Sequence, residues 1–192
     1  MTHPLLILRH GETEWNREGR LQGALDSPLT DLGRAQAARQ GRLLRDFGVT
    51  GWAWRVSPKD RAMETARIAS EGLGVDLSED LRLVEIDVGA WTGLRRDDLV
   101  EENPQFFEMM DEMLWYDHAP GGEGLIAVAK RAEQFLSDLD GPTIVVPHGI
   151  TSRILRCLAL GLDPMRFAER PGRQGVVYHV ERGVQICLPE GT

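Results

Sequence analysis

Two histidines, His10 and His148, each close a short apolar run and precede a glycine, in Arg9-His10-Gly11 and Pro147-His148-Gly149. A third run, Trp52 to Val56, leads into Ser57-Pro58-Lys59-Asp60-Arg61. Imidazole serves as nucleophile or proton carrier near neutral pH, and guanidinium is a planar fork for phosphate or carboxylate. If the three runs are parallel strands of one open sheet, the turns after them share the carboxyl edge, where ligands bind in such sheets. His10, His148, Arg9 and Arg61 then converge on one crevice, and the helices that follow turn backbone N–H donors toward it. That set suits an anionic, tetrahedral group. Taken singly, each histidine reads more simply as a satisfied core side chain, and each arginine as a surface ion-pair residue.

The elements that must position these groups can be read along the chain. Leu5 to Leu8 reads as a buried strand. Thr30 is an N-cap, and Leu32, Ala35, Ala38, Leu43 and Leu44 give a helical stripe to about Phe47. Trp52 to Val56 is a second strand, and Asp60 to Glu71 a helix closed by Gly72 and Gly74. Leu81 to Ile86 is extended or irregular, and Gly89 to Gly93 is loop. Arg96 to Tyr116 is helical and broken at Asn103-Pro104. Leu125 to Leu139 is a helix, Thr143 to Val146 a third buried strand, and Ile150 to Leu160 a helix. Val176 to Val180 and Val184 to Leu188 flank Glu181-Arg182-Gly183, a hairpin signal. Alternating strands and helices predict an α/β fold: a three-layer α/β/α sandwich with a mostly parallel central sheet and an antiparallel C-terminal edge. One domain over residues 1–192 is expected, with a helical cap inserted at about 96–120.

Composition narrows the partners. The 192 residues are 42% hydrophobic and 27% charged, ordinary for a globular domain. The 22 basic against 30 acidic residues give a net charge of −8, which argues against nonspecific nucleic-acid binding. Of the 22 basic residues 20 are arginine, so the cations present favour the fork geometry. Cys157 and Cys187 are too few for a disulfide scaffold and form no C-x-x-C pair. No H-x-H, H-E-x-x-H or carboxylate cluster accompanies the histidines, so no metal is expected. No apolar run reaches membrane-spanning length, and Leu5 to Leu8 is too short for a signal-peptide core. A cytoplasmic setting follows as the expectation.

Arg9-His10-Gly11-Glu12-Thr13-Glu14-Trp15-Asn16 resembles the signature of the histidine phosphatase superfamily, the phosphoglycerate mutase-like proteins. The similarity continues in order. Gln22-Gly23 with Asp26-Ser27-Pro28-Leu29-Thr30 and Gly33 resembles the next block, and Ser57-Pro58-Lys59-Asp60-Arg61-Ala62 the Ser-Pro-x-x-Arg-Ala block. Leu83 to Gly93 resembles the acid-bearing segment, with Glu85, Gly89, Trp91 and Gly93 in place. Gly121-Gly122-Glu123 and Val146 to Gly149 complete the series, which spans roughly residues 5 to 152. A lone Arg-His-Gly would mean little; ordered blocks are specific.

The resemblance implies a phosphohistidine mechanism without cofactor. His10 is then the nucleophile, with one ring nitrogen held by a backbone carbonyl. Arg9, Arg61 and His148 surround the phosphoryl oxygens, as charge stabilisation of phosphoryl transfer requires. Asn16, Gln22 and Gly149 contact substrate, and Glu85 protonates the leaving oxygen and then activates water. Asn16 as a turn cap, Gln22 as a loop amide and Glu85 as a helix cap are the plainer readings. The sequence departs from the family pattern at Pro147, where a small hydroxyl residue is common, and at Lys59, which adds a charge at the pocket mouth. Gln174 stands near an expected asparagine, and no role is carried to it. The segment around Glu85 is similar to the phosphatase branch, so hydrolysis of a small phosphorylated metabolite is expected. A mutase-type phosphotransferase and a catalytically weak phospho-ligand binding module are the alternatives. The apolar groups from Phe106 to Trp115 fit either a cap core or a homodimer face.

Overall fold

The computed structural model describes residues 3–110 and 113–189. Six strands form one sheet: β1 (Leu5–Ile7), β2 (Ala53–Val56), β3 (Leu77–Glu79), β4 (Thr143–Val146), β5 (Tyr178–Glu181) and β6 (Val184–Cys187). Their order is β3-β2-β4-β1-β5-β6. The first four are mutually parallel, with Leu5 opposite Thr143 and Trp54 opposite Ile144; β5 and β6 run antiparallel. The expected α/β sandwich with an antiparallel C-terminal edge is the observed fold.

Apolar runs become strands here because both faces are covered. Leu5, Ile7 and Val145 pack with α6 (Leu125–Ser137) and α7 (Gly149–Ala159). Leu6, Ile144, Val146, Trp54 and Val56 pack on the other face with α2 (Asp31–Phe47) and α3 (Asp60–Ala69). A single turn of helix, α1 (Glu14–Arg17), follows β1; Thr13 caps it through Asn16 N, and Asn16 Oδ1 accepts from Thr13 N in return. Thr30 caps α2 by accepting from Gly33 N, as its sequence position suggests.

β1, β4 and β2 are neighbours and parallel, so Arg9-His10-Gly11, Pro147-His148-Gly149 and Ser57 to Arg61 emerge side by side. The ladder runs on into these turns: His10 N donates to Pro147 O at 3.3 Å, and Ser57 N to Val146 O at 3.1 Å.

Several boundaries differ from the sequence reading. Helix α3 ends at Ala69, because Gly72 and Gly74 already sit beyond it at positive φ. Strand β3 was not expected; it is a short, half-exposed edge with no apolar alternation to reveal it. Leu81–Leu83 and Gly89–Trp91 are 3₁₀ turns. The Arg96 to Tyr116 stretch breaks at Asn103-Pro104 as expected, but its last part is a 3₁₀ turn and not helix. It divides into α4 (Arg96–Glu102), α5 (Pro104–Met109) and a 3₁₀ turn Leu114–His118, with 111 and 112 outside the described residues. Met113 sits at φ 72, which stops helix from running through it. Phe106 and Phe107 pack on Trp91, and Trp115 stacks on Tyr116 at 3.8 Å. Met109 stays 82% exposed, so this apolar cluster is covered only in part. Among the described residues no helix is long and apolar enough to cross a membrane.

Candidate active site

A small polar cavity opens at the carboxyl edge of the sheet. Its wall includes Arg9, His10, Asn16, Arg20, Gln22, Arg61, Glu85 and Tyr116. Six of the eight residues singled out from sequence therefore line one space. His148 and Gly149 lie directly behind it: the His10 and His148 rings are 5.1 Å apart, tilted by 58°. A larger cleft at the far end of β2, beside Trp52, Trp54 and Leu73, holds none of these groups.

His10 is buried, and its Nδ1 lies 2.7 Å from Gly11 O. A carbonyl only accepts, so Nδ1 carries the proton and Nε2 keeps its lone pair. The turn is held tightly. Gly11 N donates to Thr65 Oγ1, and a Cβ on Gly11 would lie 2.2 Å from Gly33 O, so no larger residue fits. Burial, then the charges of Arg9 and Arg61, push the His10 pKa well below its ordinary 6.5. The imidazole is thus neutral at physiological pH, as a nucleophile must be.

Arg61, at the start of α3, is 1% exposed. Its Nη1 donates to Asp26 Oδ1 and to Leu25 O, both at 2.7 Å. Its Nε donates to His148 Nδ1 at 3.1 Å. An accepting Nδ1 leaves the His148 proton on Nε2, which donates to Ser57 Oγ at 2.7 Å. Burial, followed by Arg61, holds the His148 pKa well below 6.5, consistent with that neutral tautomer. Both ring nitrogens are engaged, so in this state His148 orients Arg61 and has no N–H left for a phosphoryl oxygen.

Arg9 donates from Nη1 to Gly172 O at 2.7 Å, while its buried Nε has no partner. Burial lowers its pKa and Glu85 opposes that shift. Glu85 closes the N-terminus of α7. It accepts from Ile150 N and Thr151 N, from Thr151 Oγ1, and from Ile86 N. Helix α7 has no cap from its own N-cap residue, His148, so Glu85 supplies one from a distance. Gly149 makes room for this: a Cβ there would lie 3.2 Å from Glu85 Oε2 and 3.4 Å from Arg9 Cζ.

Asn16 both caps its turn and reaches the cavity. Its Oδ1 accepts from Thr13 N and from Gln174 Nε2, which leaves the amide N–H₂ as its free-facing chemistry. Gln22 is buried with Oε1 unpartnered on the cavity side of the fold. Lys59 donates to Ala24 O and is absent from the wall, so it does not charge the pocket mouth. Pro147 keeps the one contact its backbone still allows, the carbonyl bond to His10 N. Gln174 was passed over in the sequence, yet its Nε2 donates to His10 O as well as to Asn16. Tyr116 was also missed; burial first, then Glu85, push its pKa up to about 12, so it presents a hydroxyl. Among the described residues no group of three or more His, Cys, Asp or Glu is placed to hold a metal ion.

The model of the histidine phosphatase superfamily (branch 1) matches residues 5–185. Phosphoserine phosphatase 1 of Hydrogenobacter thermophilus is 31% identical over 169 residues, which is 85% of this chain and 79% of that protein. The probable phosphoglycerate mutase GpmB of Salmonella typhi is 35% identical over 169 residues, 85% of this chain and 77% of that one. Among solved structures, a putative alpha-ribazole-5'-P phosphatase from Escherichia coli superposes with a TM-score of 0.80 at 25% identity, covering 97% of this chain and 95% of that one.

Proposed function

The chain belongs to the histidine phosphatase superfamily (branch 1), and from that premise we propose that it hydrolyses small phosphate monoesters through a phosphohistidine on His10. The observation that carries this is the tautomer: Nδ1–H is committed to Gly11 O, and Nε2 is left unprotonated at the wall of a cavity that also holds three guanidiniums, those of Arg9, Arg20 and Arg61, and the carboxylate of Glu85.

His10 Nε2 attacks phosphorus, and the bond to the ester oxygen breaks. The ring becomes an imidazolium phosphorylated at Nε2, and Gly11 O stabilises its Nδ1–H. Arg9 and Arg61 carry the charge on the phosphoryl oxygens, with Asn16 donating beside them. Glu85, entering as the acid, gives its proton to the departing alkoxide. Water then attacks phosphorus, Glu85 takes a proton from it, and Nε2 recovers its electron pair as inorganic phosphate forms. His148 keeps Arg61 in register, and Gly149 lets Glu85 and Arg9 approach the end of α7. The substrate is a small phosphorylated metabolite, for which Gln22 and Tyr116 supply polar contacts around the leaving group. No metal takes part. We place the reaction in the cytoplasm, supported by two unpaired thiols, Cys157 and Cys187.

The relative bearing a mutase name favours a second reading, in which the phosphoryl group on His10 returns to another oxygen of the substrate. One experiment separates the readings: metal-free release of inorganic phosphate from p-nitrophenyl phosphate and a panel of phosphorylated metabolites, wild type beside His10→Ala. Release by wild type alone supports the phosphatase. No release, with both proteins folded, overturns it; a phosphoglycerate isomerisation assay then distinguishes the mutase from a binding module.

A further inference from the structure

Arg156 is a buried cation with no carboxylate partner among the described residues. It lies on α7 with 0% exposure, and its hydrogen-bond acceptors are all uncharged. Its Nη2 donates to Pro171 O at 2.6 Å, Nη1 to Gln185 Oε1 at 3.4 Å, and Nε to Ser152 O at 3.3 Å. Its Cζ sits 4.0 Å from the centre of the Tyr178 ring. Burial lowers its pKa to about 10, which leaves it charged at pH 7. A desolvated charge of this kind is expensive, and an apolar side chain of similar volume usually serves stability as well or better. Its placement calls for another use.

That use is visible one peptide away. Tyr178 Oη donates to the same Pro171 O at 3.1 Å, so two buried donors fix one carbonyl. The next carbonyl, Gly172 O, is the acceptor for Arg9 Nη1. Gly172 also lies close against Arg153, since a Cβ there would lie 2.5 Å from Arg153 Nη2. Arg9 makes no other side-chain hydrogen bond among the described residues, and its Nε is buried without a partner. One edge of the Arg9 fork is therefore anchored, and the other is left for an oxyanion.

We propose that Arg156 and Tyr178 are positioning residues, which set the Arg9 guanidinium for a phosphoryl group through the Pro171–Gly172 peptide. The proposal rests on the phosphoryl-binding role given to Arg9 above. A fork aimed by a relay loses force when the relay slackens, because small displacements at a reacting group are costly.

The test is a double-mutant cycle read by inorganic phosphate affinity and by kcat/KM for p-nitrophenyl phosphate, well below each variant's melting temperature. Arg156→Met should weaken phosphate binding and lower kcat/KM on the order of tenfold, and Arg156→Lys should recover part of the loss. In an Arg9→Ala background, Arg156→Met should add less than about twofold to either. Equal effects in both backgrounds, or a lower melting temperature with unchanged phosphate affinity, would overturn the proposal. If Arg156→Met does not fold, Tyr178→Phe removes a single hydroxyl and enters the same cycle. A wild type that binds phosphate but turns over no ester sinks the hydrolase reading, and the phosphate cycle still decides the role of Arg156.

Discussion

The neutrality of His10 has a direct kinetic signature. Its pKa lies well below 6.5 through burial and two cationic neighbours, so protonation should not quench the proposed attack by His10 near that pH. We expect kcat/KM to show no acid limb from His10 at pH 6.5. Arg9→Ala removes a positive charge and admits water, and both effects raise the His10 pKa. The acid limb should then move up toward 6.5, as a pH–rate series or ring titration by NMR would show. Glu85 makes a second prediction. A p-nitrophenolate leaves without needing a proton, whereas an alkoxide needs one. Glu85→Gln should therefore cut kcat/KM for an alkyl phosphate by about 10²–10⁴, and far less for the nitrophenyl ester; equal losses would deny Glu85 the acid's role. The groups gathered at the cavity were legible because most of them stand in a short local motif. The groups that hold them were not. Gln174 meets His10 and Asn16 only through folding, and nothing next to it in sequence says so. The site reading also had no means of finding that Ser57 and Arg61 occupy both nitrogens of His148.

At the scale of elements, close backbone contact sets the geometry. The turn after β1 and the first turn of α2 touch through Gly11 and Gly33, where a Cβ on Gly33 would lie 2.0 Å from Glu12 O. Gly33→Ala should push these elements apart and destabilise the fold by about 2 kcal/mol or more, measured by urea unfolding. Phosphate affinity should fall with it, because His10 and Gly11 ride on that contact. Strands β1, β2 and β4 could be read directly, since each is an apolar run stopped by a proline or a histidine-glycine turn. Strand β3 could not, because only Leu77 of its three residues is even half-buried. In the stretch from Arg96 to Tyr116 the break at Asn103-Pro104 was legible, and the 3₁₀ turn at Leu114–His118 was not. Its apolar residues Phe106, Phe107 and Trp115 meet at Trp91, a contact outside the stretch that its own periodicity does not encode.

For the molecule as a whole, two buried neutral histidines couple stability to pH. The unfolded chain protonates both near 6.5, while the folded one resists until well below that. The unfolded state thus binds more protons below pH 6.5, and stability falls as pH drops, by up to about 2.7 kcal/mol per pH unit for two such groups. Urea midpoints measured between pH 7 and pH 5 should decline accordingly, and the decline should shrink in His148→Asn. The sheet order carries one more consequence. β1 sits at the centre, between β4 and β5, both of which come much later in the chain. At ordinary translation speeds, roughly 140 residues separate Leu5 from its partner Thr143, a delay of about 7–30 s. Through that interval an apolar strand and His10 beside it wait without their strand partners. Ribosome-bound chains stalled before Thr143 should therefore recruit chaperones, and chains stalled before Gly172 should retain no phosphate.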